Sequence, residues 1–125
     1  MSKRKVLVVD DESNFLKLVK MNLENTEKYE VTVLQDPTGI MPLVKSFKPD
    51  LILLDILMPK MDGTEVCKAL NEDPYGKRTP IIVLSALDTV KDKLIMYKLG
   101  VVDFLAKPID AKDLIAKIEK ALEYK

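Results

Sequence analysis

At 125 residues the chain has room for one domain and none for a second, with residues 1–125 as its expected extent. Hydrophobic residues make up 47% of it, and a chain of this size buries roughly two-thirds of its unfolded surface, so one apolar core suffices without disulfides or a structural metal. The 20 Lys+Arg balance 20 Asp+Glu, which gives no general reason to expect a nucleic acid or an anionic membrane as partner. Histidine is absent, which removes His-based acid–base chemistry, imidazole metal sites and Ser-His triads.

The basic start, Met1 to Lys5, is followed by an apolar run that ends at Asp10. That run is too short for a signal-peptide core or a membrane span, so a cytoplasmic location is expected. Val6 to Val9 is continuous and apolar, as a strand buried on both faces should be. Behind Ser13, the residues Phe15, Leu16, Val19 and Leu23 form one helical face. Val31 to Leu34 is a second strand run, and the helical segment Thr38 to Phe47 tolerates Pro42 if it falls in the first turn. Leu51 to Leu54 is the third run. Val66, Cys67 and Leu70 then make a helical face behind Asp62-Gly63.

Cys67 is the only cysteine, so no internal disulfide can form and a reducing compartment is the simpler reading. On an apolar stripe it reads as a packed small residue rather than a reactive thiol. Asn71 to Thr79, with Pro74 and Gly76, reads as one long loop before Pro80. Ile81 to Leu84 is the fourth run. Asp88 can cap a weakly amphipathic helix that Gly100 ends. Val101 to Leu105 is the fifth run, interrupted by Asp103. Leu114, Ile115, Ile118, Ala121 and Leu122 form the clearest stripe, with Asp110 as N-cap and Asp113 reaching back in a capping box.

Strand and helix alternate five times, which predicts an α/β fold: a doubly wound, five-stranded parallel sheet with helices on both faces. At this size the flavodoxin-like strand order 2-1-3-4-5 is favoured. No Gly-rich phosphate loop follows the first strand, so dinucleotide or flavin binding is unsupported.

In a parallel sheet all strand C-termini lie along one edge, and ligands bind where the strand order reverses. The first run ends in Asp10-Asp11, the third in Asp55, the fourth in Ser85 and the fifth in Lys107-Pro108. Taken singly these are weak signals. Asp10-Asp11 could cap the following helix, Asp55 could be a turn aspartate, Ser85 an N-cap and Lys107 a solvated lysine. Together, four of five strands deliver a complementary group to one edge. Three packed acids raise one another's pKa unless a cation neutralises them, and hard oxygen ligands of this kind suit Mg²⁺, or Mn²⁺ in its place. Asp55 on the central strand can then act as a carboxylate nucleophile toward phosphorus. The cation and Lys107 would stabilise the oxygens, and the Ser85 hydroxyl would bond the product phosphoryl.

The stretches VLVVDDE (Val6 to Glu12), PDLILLDILMPKMDG (Pro49 to Gly63), PIIVLSAL (Pro80 to Leu87) and DFLAKP (Asp103 to Pro108), with the intervals between them, resemble the response-regulator receiver domains of two-component signalling, the CheY-like superfamily. The resemblance runs along nearly the whole chain. It implies that Asp10 and Asp11 hold the cation, that Asp55 is both cation ligand and phosphoacceptor, and that the main-chain carbonyl of Leu57 is a further ligand. It also implies that Ser85 is the switch hydroxyl, Lys107 the phosphoryl-contacting lysine and Phe104 the switch aromatic, and that the Lys107–Pro108 peptide is cis. Ser85 replaces a more frequent threonine and keeps the hydroxyl; Phe104 replaces a frequent tyrosine and loses it. The competing reading of Phe104 is an ordinary core aromatic.

By the same resemblance, the phosphoryl donor is a sensor histidine kinase or phosphotransfer protein. With no histidine in this chain, any phosphohistidine belongs to another protein. The output is a downstream protein or a covalently following output domain, and a phosphorylation-dependent dimer is compatible with the pattern. Direct nucleic-acid binding by this domain and a membrane are not implied. Apart from its own phosphoryl transfer and slow autodephosphorylation, the chain is not expected to be an enzyme. The expected switch draws Ser85 toward the phosphoryl group, lets Phe104 fill the vacated space, and remodels the face of the fourth helix, fifth strand and fifth helix. Lys91, Tyr97 and Phe104 are its expected contact residues. The apolar Leu57 and Leu87 near the pocket are expected to position hydrolytic water poorly and prolong the phosphorylated state.

Two other readings remain at this point. Haloacid-dehalogenase-type phosphatases also use an aspartate nucleophile, but want a second aspartate two residues on, where this chain has Leu57. A constitutive docking module on the same fold would need no phosphorylation; such degenerate receivers usually lack an acid or the lysine, and both are present here. The last helix ends near Tyr124, so the chain reads either as a stand-alone regulator or as a receiver trimmed from a longer protein.

Overall fold

The computed structural model describes residues 3–58, 61–84 and 90–123, the side chains of 57, 58, 61 and 90–92 excepted. Five parallel strands form the main sheet: β1 (Arg4–Val9), β2 (Tyr29–Leu34), β3 (Leu51–Asp55), β6 (Ile81–Leu84) and β7 (Val101–Leu105). A small antiparallel pair, β4 (Leu57–Met58) and β5 (Met61–Asp62), follows β3. The helices are α1 (Ser13–Glu24), α2 (Ile40–Phe47), α3 (Gly63–Glu72), α4 (Val90–Lys98) and α5 (Ala111–Glu123). Main-sheet order is β2-β1-β3-β6-β7, the order 2-1-3-4-5 expected from the apolar runs.

Val6–Val9 of β1, β3 and β6 carry no polar–apolar alternation because both sheet faces are covered there, while the edge strands β2 and β7 leave Glu30 and Val102 exposed. On one face Leu7, Val9, Ile52, Leu54, Ile81 and Val83 pack with α2, α3 and α4 through Ile40, Val44, Val66, Cys67, Leu70 and Met96. On the other, Val6, Val8, Leu51, Leu53, Ile82 and Leu84 pack with α1 and α5 through Leu16, Val19, Leu23, Leu114 and Ile118. Alternate residues of one strand therefore belong to opposite cores, as the two-residue period of a strand requires. Cys67 is fully buried, and desolvation pushes its thiol up to about 12, which bears out the packed, unreactive reading.

Pro42 does fall in the first turn of α2, behind a 3₁₀ turn over Pro37–Gly39 that Asp36 caps. Gly100 takes φ +95 and its N–H bonds the Tyr97 carbonyl, closing the end of α4. Asp88 lies outside the described residues. Asp110 accepts from the Lys112 N–H at 2.9 Å. The reciprocal half of the expected capping box is absent, since among the described residues Asp113 makes no hydrogen bond back to Asp110.

The segment expected as one long loop is more ordered than its punctuation implied. α3 runs on through Glu72, and a 3₁₀ turn covers Gly76–Arg78. Asp73 organises the bend, its Oδ2 accepting from the N–H groups of Tyr75 at 3.0 Å and Gly76 at 2.8 Å. The β4–β5 pair was also not foreseen, because two-residue strands leave no periodic signal.

Directly after β3 the chain turns so sharply that the start of α3 sits on it. The Gly63 N–H bonds the Ile56 carbonyl at 3.3 Å, and a Cβ at Gly63 would meet the Ile56 Cα at 2.3 Å. Asp62 accepts from the Thr64 N–H at 2.9 Å and caps the helix there. A Gly63→Ala substitution is expected to cost about 1–3 kcal/mol by forced backbone displacement, lowering the urea midpoint by about 1 M. An unchanged midpoint would contradict so close an approach.

Candidate functional site

Strand register brings the polar residues to one edge. Val9 pairs with Leu54 across β1 and β3, so Asp10 and Asp55 leave the sheet side by side. Asp55 pairs with Leu84 of β6, and Leu84 with Leu105 of β7, which brings Lys107 to the same edge two residues later. The chain passes from β1 outward to β2 and returns to β3 on the other side of β1. The β1–β3 junction is thus the point where strand order reverses, the ligand position of open α/β sheets.

Asp10, Asp11 and Asp55 each offer a carboxylate oxygen, and these oxygens lie within 4.8 Å of one another. Asp10 is fully buried and Asp55 is 5% exposed, while Asp11 is half-buried. The Asp10 Oδ1 accepts from the Glu12 N–H at 2.9 Å and braces the turn before α1, but the N-cap of that helix is Glu12 with no side-chain cap bond, so Asp10 and Asp11 do not cap it. The Gln35 amide donates to the Asp11 carbonyl at 3.0 Å and ties this turn to the end of β2.

Lys107 reaches into the cluster. Its Nζ lies 2.6 Å from Asp10 Oδ2, 3.2 Å from Glu12 Oε1 and 3.3 Å from Asp55 Oδ2. The peptide joining it to Pro108 is cis, as the resemblance implied. Burial raises the Asp10 carboxyl above the usual carboxylate range, against the lowering pull of the Lys107 ammonium and the Glu12 N–H. For Lys107, partial desolvation pulls the pKa down, but hydrogen bonds to Asp10 and Glu12 and the charges of Asp10 and Asp55 outweigh it and raise the ammonium above the ordinary lysine range.

The donor set fits a hard divalent cation. It has three carboxylates at one point, one of them wholly removed from water, with the Lys107 ammonium beside them. No described helix is long and apolar enough to cross a membrane.

The structure therefore brings together Asp10, Asp11, Asp55 and Lys107. Ser85 and Leu87 lie outside the described residues, as does the Leu57 side chain; the Leu57 backbone belongs to β4. Phe104 is half-buried on β7, packed against the α2–α3–α4 core, with its ring 5.2 Å from the Tyr97 ring in an edge-to-face contact. The Lys91 side chain is outside the described residues. Lys93 is the lysine seen at Phe104, 5.7 Å from its ring centroid. Two neighbours of Lys107 escaped the sequence reading. Glu12 was read only as part of a motif, and Phe15, read as core, turns its ring toward the Lys107 ammonium at 4.4 Å.

The response regulator receiver domain model matches residues 6–119. The alkaline phosphatase synthesis transcriptional regulatory protein PhoP of Bacillus subtilis is 37% identical over 119 residues, 95% of this chain and 48% of that protein. The response regulator PleD of Caulobacter vibrioides is 36% identical over 97% of this chain and 26% of its own length. The chain thus spans less than half of the first and about a quarter of the second. Among solved structures, the chemotaxis protein CheY4 of Vibrio cholerae superposes with a TM-score of 0.90 at 28% identity, covering 97% of this chain and 100% of that one.

Removing the ammonium isolates the buried acid. Lys107→Ala is expected to cost about 1–3 kcal/mol at pH 7.5 in metal-free protein. A raised carboxyl pKa means that the folded state takes up the proton first, so the penalty is full above that pKa and is relieved as pH falls. The deficit of Lys107→Ala against the parent should therefore shrink between pH 7.5 and pH 5 in urea unfolding. A deficit that grew on acidification would contradict the burial of an ionised Asp10.

Proposed function

The chain belongs to the response-regulator receiver-domain family of two-component signalling, and from that membership we propose that it is a phosphorylation-dependent switch whose phosphoacceptor is Asp55. The carrying observation is the convergence of Asp10, Asp11 and Asp55, with Lys107, at the strand-order reversal. Residues 1–125 act as one receiver domain, in the cytoplasm.

Asp10, Asp11 and Asp55 would hold Mg²⁺ or Mn²⁺, with the Leu57 main-chain carbonyl as a further ligand; the ion supplies charge neutralisation for the phosphoryl oxygens. Asp55 stands at the end of the central strand and is almost wholly shielded from water. One of its carboxylate oxygens attacks the phosphorus of a phosphohistidine on a sensor kinase or phosphotransfer protein. An O–P bond forms, the N–P bond breaks, and the electron pair returns to the donor imidazole. Such transfer asks a protein for positioning and charge stabilisation above all. Lys107, already 3.3 Å from Asp55, meets the charge on the transferred group, and the Ser85 hydroxyl bonds the product. Two residues after Asp55, where aspartate-nucleophile phosphatases want an acid, the chain has Leu57, which favours a switch over a turnover enzyme.

The signal leaves through α4, β7 and α5. Of the described α4 side chains only Met96 is buried, while Leu94, Ile95 and Tyr97 are exposed. A helix held by so little core can change its seat at small cost. Phe104 lies beneath it against Tyr97. Movement of Ser85 toward the phosphoryl group would let the Phe104 ring turn inward and remodel this face for a downstream protein, a following output domain or a second copy. The switch is a shift between two states that phosphorylation binds unequally.

Acetyl phosphate tests the reading. With Mg²⁺ the intact mass should show one phosphoryl adduct, absent without the metal and in Asp55→Asn, and formed about a hundredfold more slowly in Lys107→Ala. Amide resonances of α4 and β7 should shift in the phosphorylated form, and the adduct should decay slowly. No adduct under any condition would instead favour a constitutive docking module; shifts confined to the pocket would remove the output half of the proposal.

A further inference from the structure

The Lys107 ammonium has three N–H donors and three carboxylate neighbours, at 2.6, 3.2 and 3.3 Å. These bonds do not favour the reacting partner. The shortest goes to Asp10, and Glu12, on the exposed side, lies as near to Nζ as Asp55 does. A lysine stem has four rotatable bonds, so carboxylates alone could draw the ammonium to either side. One further contact acts differently. Phe15, the third residue of α1, sets the face of its ring 4.4 Å from Nζ. Its backbone is fixed by the first turn of the helix, where the Leu16 N–H bonds the Glu12 carbonyl at 3.1 Å, and its ring packs against the α1–α5 core.

The attraction between a cation and the negative face of an aromatic ring consumes no N–H donor and depends little on how the ammonium is turned. The ring can therefore hold Nζ in place while its hydrogen bonds are redistributed. That is what phosphoryl transfer demands of Lys107, because the charge to be met moves from the Asp55 carboxylate to the oxygens of the arriving group. The ring also covers one side of the ammonium with carbon, which excludes water there and strengthens the remaining bonds. Phe15 was expected to be a core residue of the helix face; it is only half-buried, and its ring faces the lysine of the site.

We propose that Phe15 is a positioning residue for phosphoryl transfer to Asp55, its ring holding the Lys107 ammonium in reach of the phosphoryl group. This rests on the reading of Asp55 as phosphoacceptor. Phe15→Leu keeps an apolar side chain of similar reach and removes the ring face; Phe15→Tyr keeps the face. Two readouts decide. In the metal-free parent, the Lys107 side-chain protons nearest Nζ should carry an upfield ring-current shift, lost in Phe15→Leu and kept in Phe15→Tyr. With acetyl phosphate and Mg²⁺, Phe15→Leu should phosphorylate about tenfold more slowly than the parent, with an unchanged half-saturating Mg²⁺ concentration, and Phe15→Tyr should restore the rate. Absence of the ring-current shift in the parent would overturn the proposal. So would a Phe15→Leu rate equal to that of the parent, or a Phe15→Tyr rate as slow as that of Phe15→Leu. A parent that accepts no phosphoryl group would overturn the reading of Asp55 and the role of Phe15 with it, a result distinct from a parent and variant that phosphorylate equally.

Discussion

Lys107 sets one ammonium against Asp10, Asp11 and Asp55, and much of the fold serves to hold that unequal meeting in place. Two carboxylates at 4.8 Å repel by on the order of 3 kcal/mol at an effective dielectric near 20. Burial sharpens the conflict, since Asp10 has no contact with water and its carboxyl is already raised by desolvation. The lysine at 2.6 Å relieves Asp10 most and Asp55 less. What remains is an excess of negative charge that a divalent cation can neutralise and a phosphoryl group, once paired with that cation, can replace. On the proposed function this frustration is useful, because a fully neutralised pocket would have no affinity left for either.

Such a cluster survives because the scaffold under it is rigid. β1, β3 and β6 are buried on both faces, and their register is locked by two separate cores. A slip of one residue would send every strand side chain into the opposite core, so the positions of Asp10 and Asp55 are fixed by the packing of leucines and valines well away from them. The close approach of Gly63 to Ile56 adds a second constraint, holding the chain after Asp55 against the start of α3. Toward β7 the arrangement loosens: the β6–β7 register shifts between Ile81 and Ile82, Val102 is exposed, and α4 is held by Met96 among few others. Rigidity around Asp55 and looseness at the far side of the sheet suit the proposed switch, which would receive a group at one place and change shape at another.

Much of this was legible in the sequence for one reason: both-face burial writes a strand as an uninterrupted apolar run. Apolar runs marked all five main strands, unbroken in β1, β3 and β6 but broken by Thr32 in β2 and Asp103 in β7; their alternation with helices and right-handed crossovers led to the order, and the polar residues following four of the runs marked the site edge. What escaped was set by contacts without periodicity. The two-residue strands β4 and β5 are too short to carry a pattern. The bend at Asp73 depends on one side chain accepting two N–H groups, where Pro74 and Gly76 advertised only a loop. The capping box expected at Asp113 did not form, although Asp110 caps as expected. Phe15 obeyed its helical stripe in facing inward, yet its contact with Lys107 joins distant parts of the chain and no spacing announces it. Similarly, the lysine seen at Phe104 is Lys93, which lies on the same helix as the expected Lys91.

The central claim is that the acid cluster is held short of charge balance for a divalent cation, and thermal unfolding against Mg²⁺ at constant ionic strength tests it most directly. At ten times its dissociation constant, a cation that binds only the folded state adds about 1.4 kcal/mol, which for a chain of this size is a rise in Tm of about 5 °C. The parent should show that rise, and Asp10→Asn, which lacks one carboxylate of the cluster, should show little of it. A parent whose Tm is indifferent to Mg²⁺, or a rise of equal size in Asp10→Asn, would contradict the claim that these three carboxylates form a cation site.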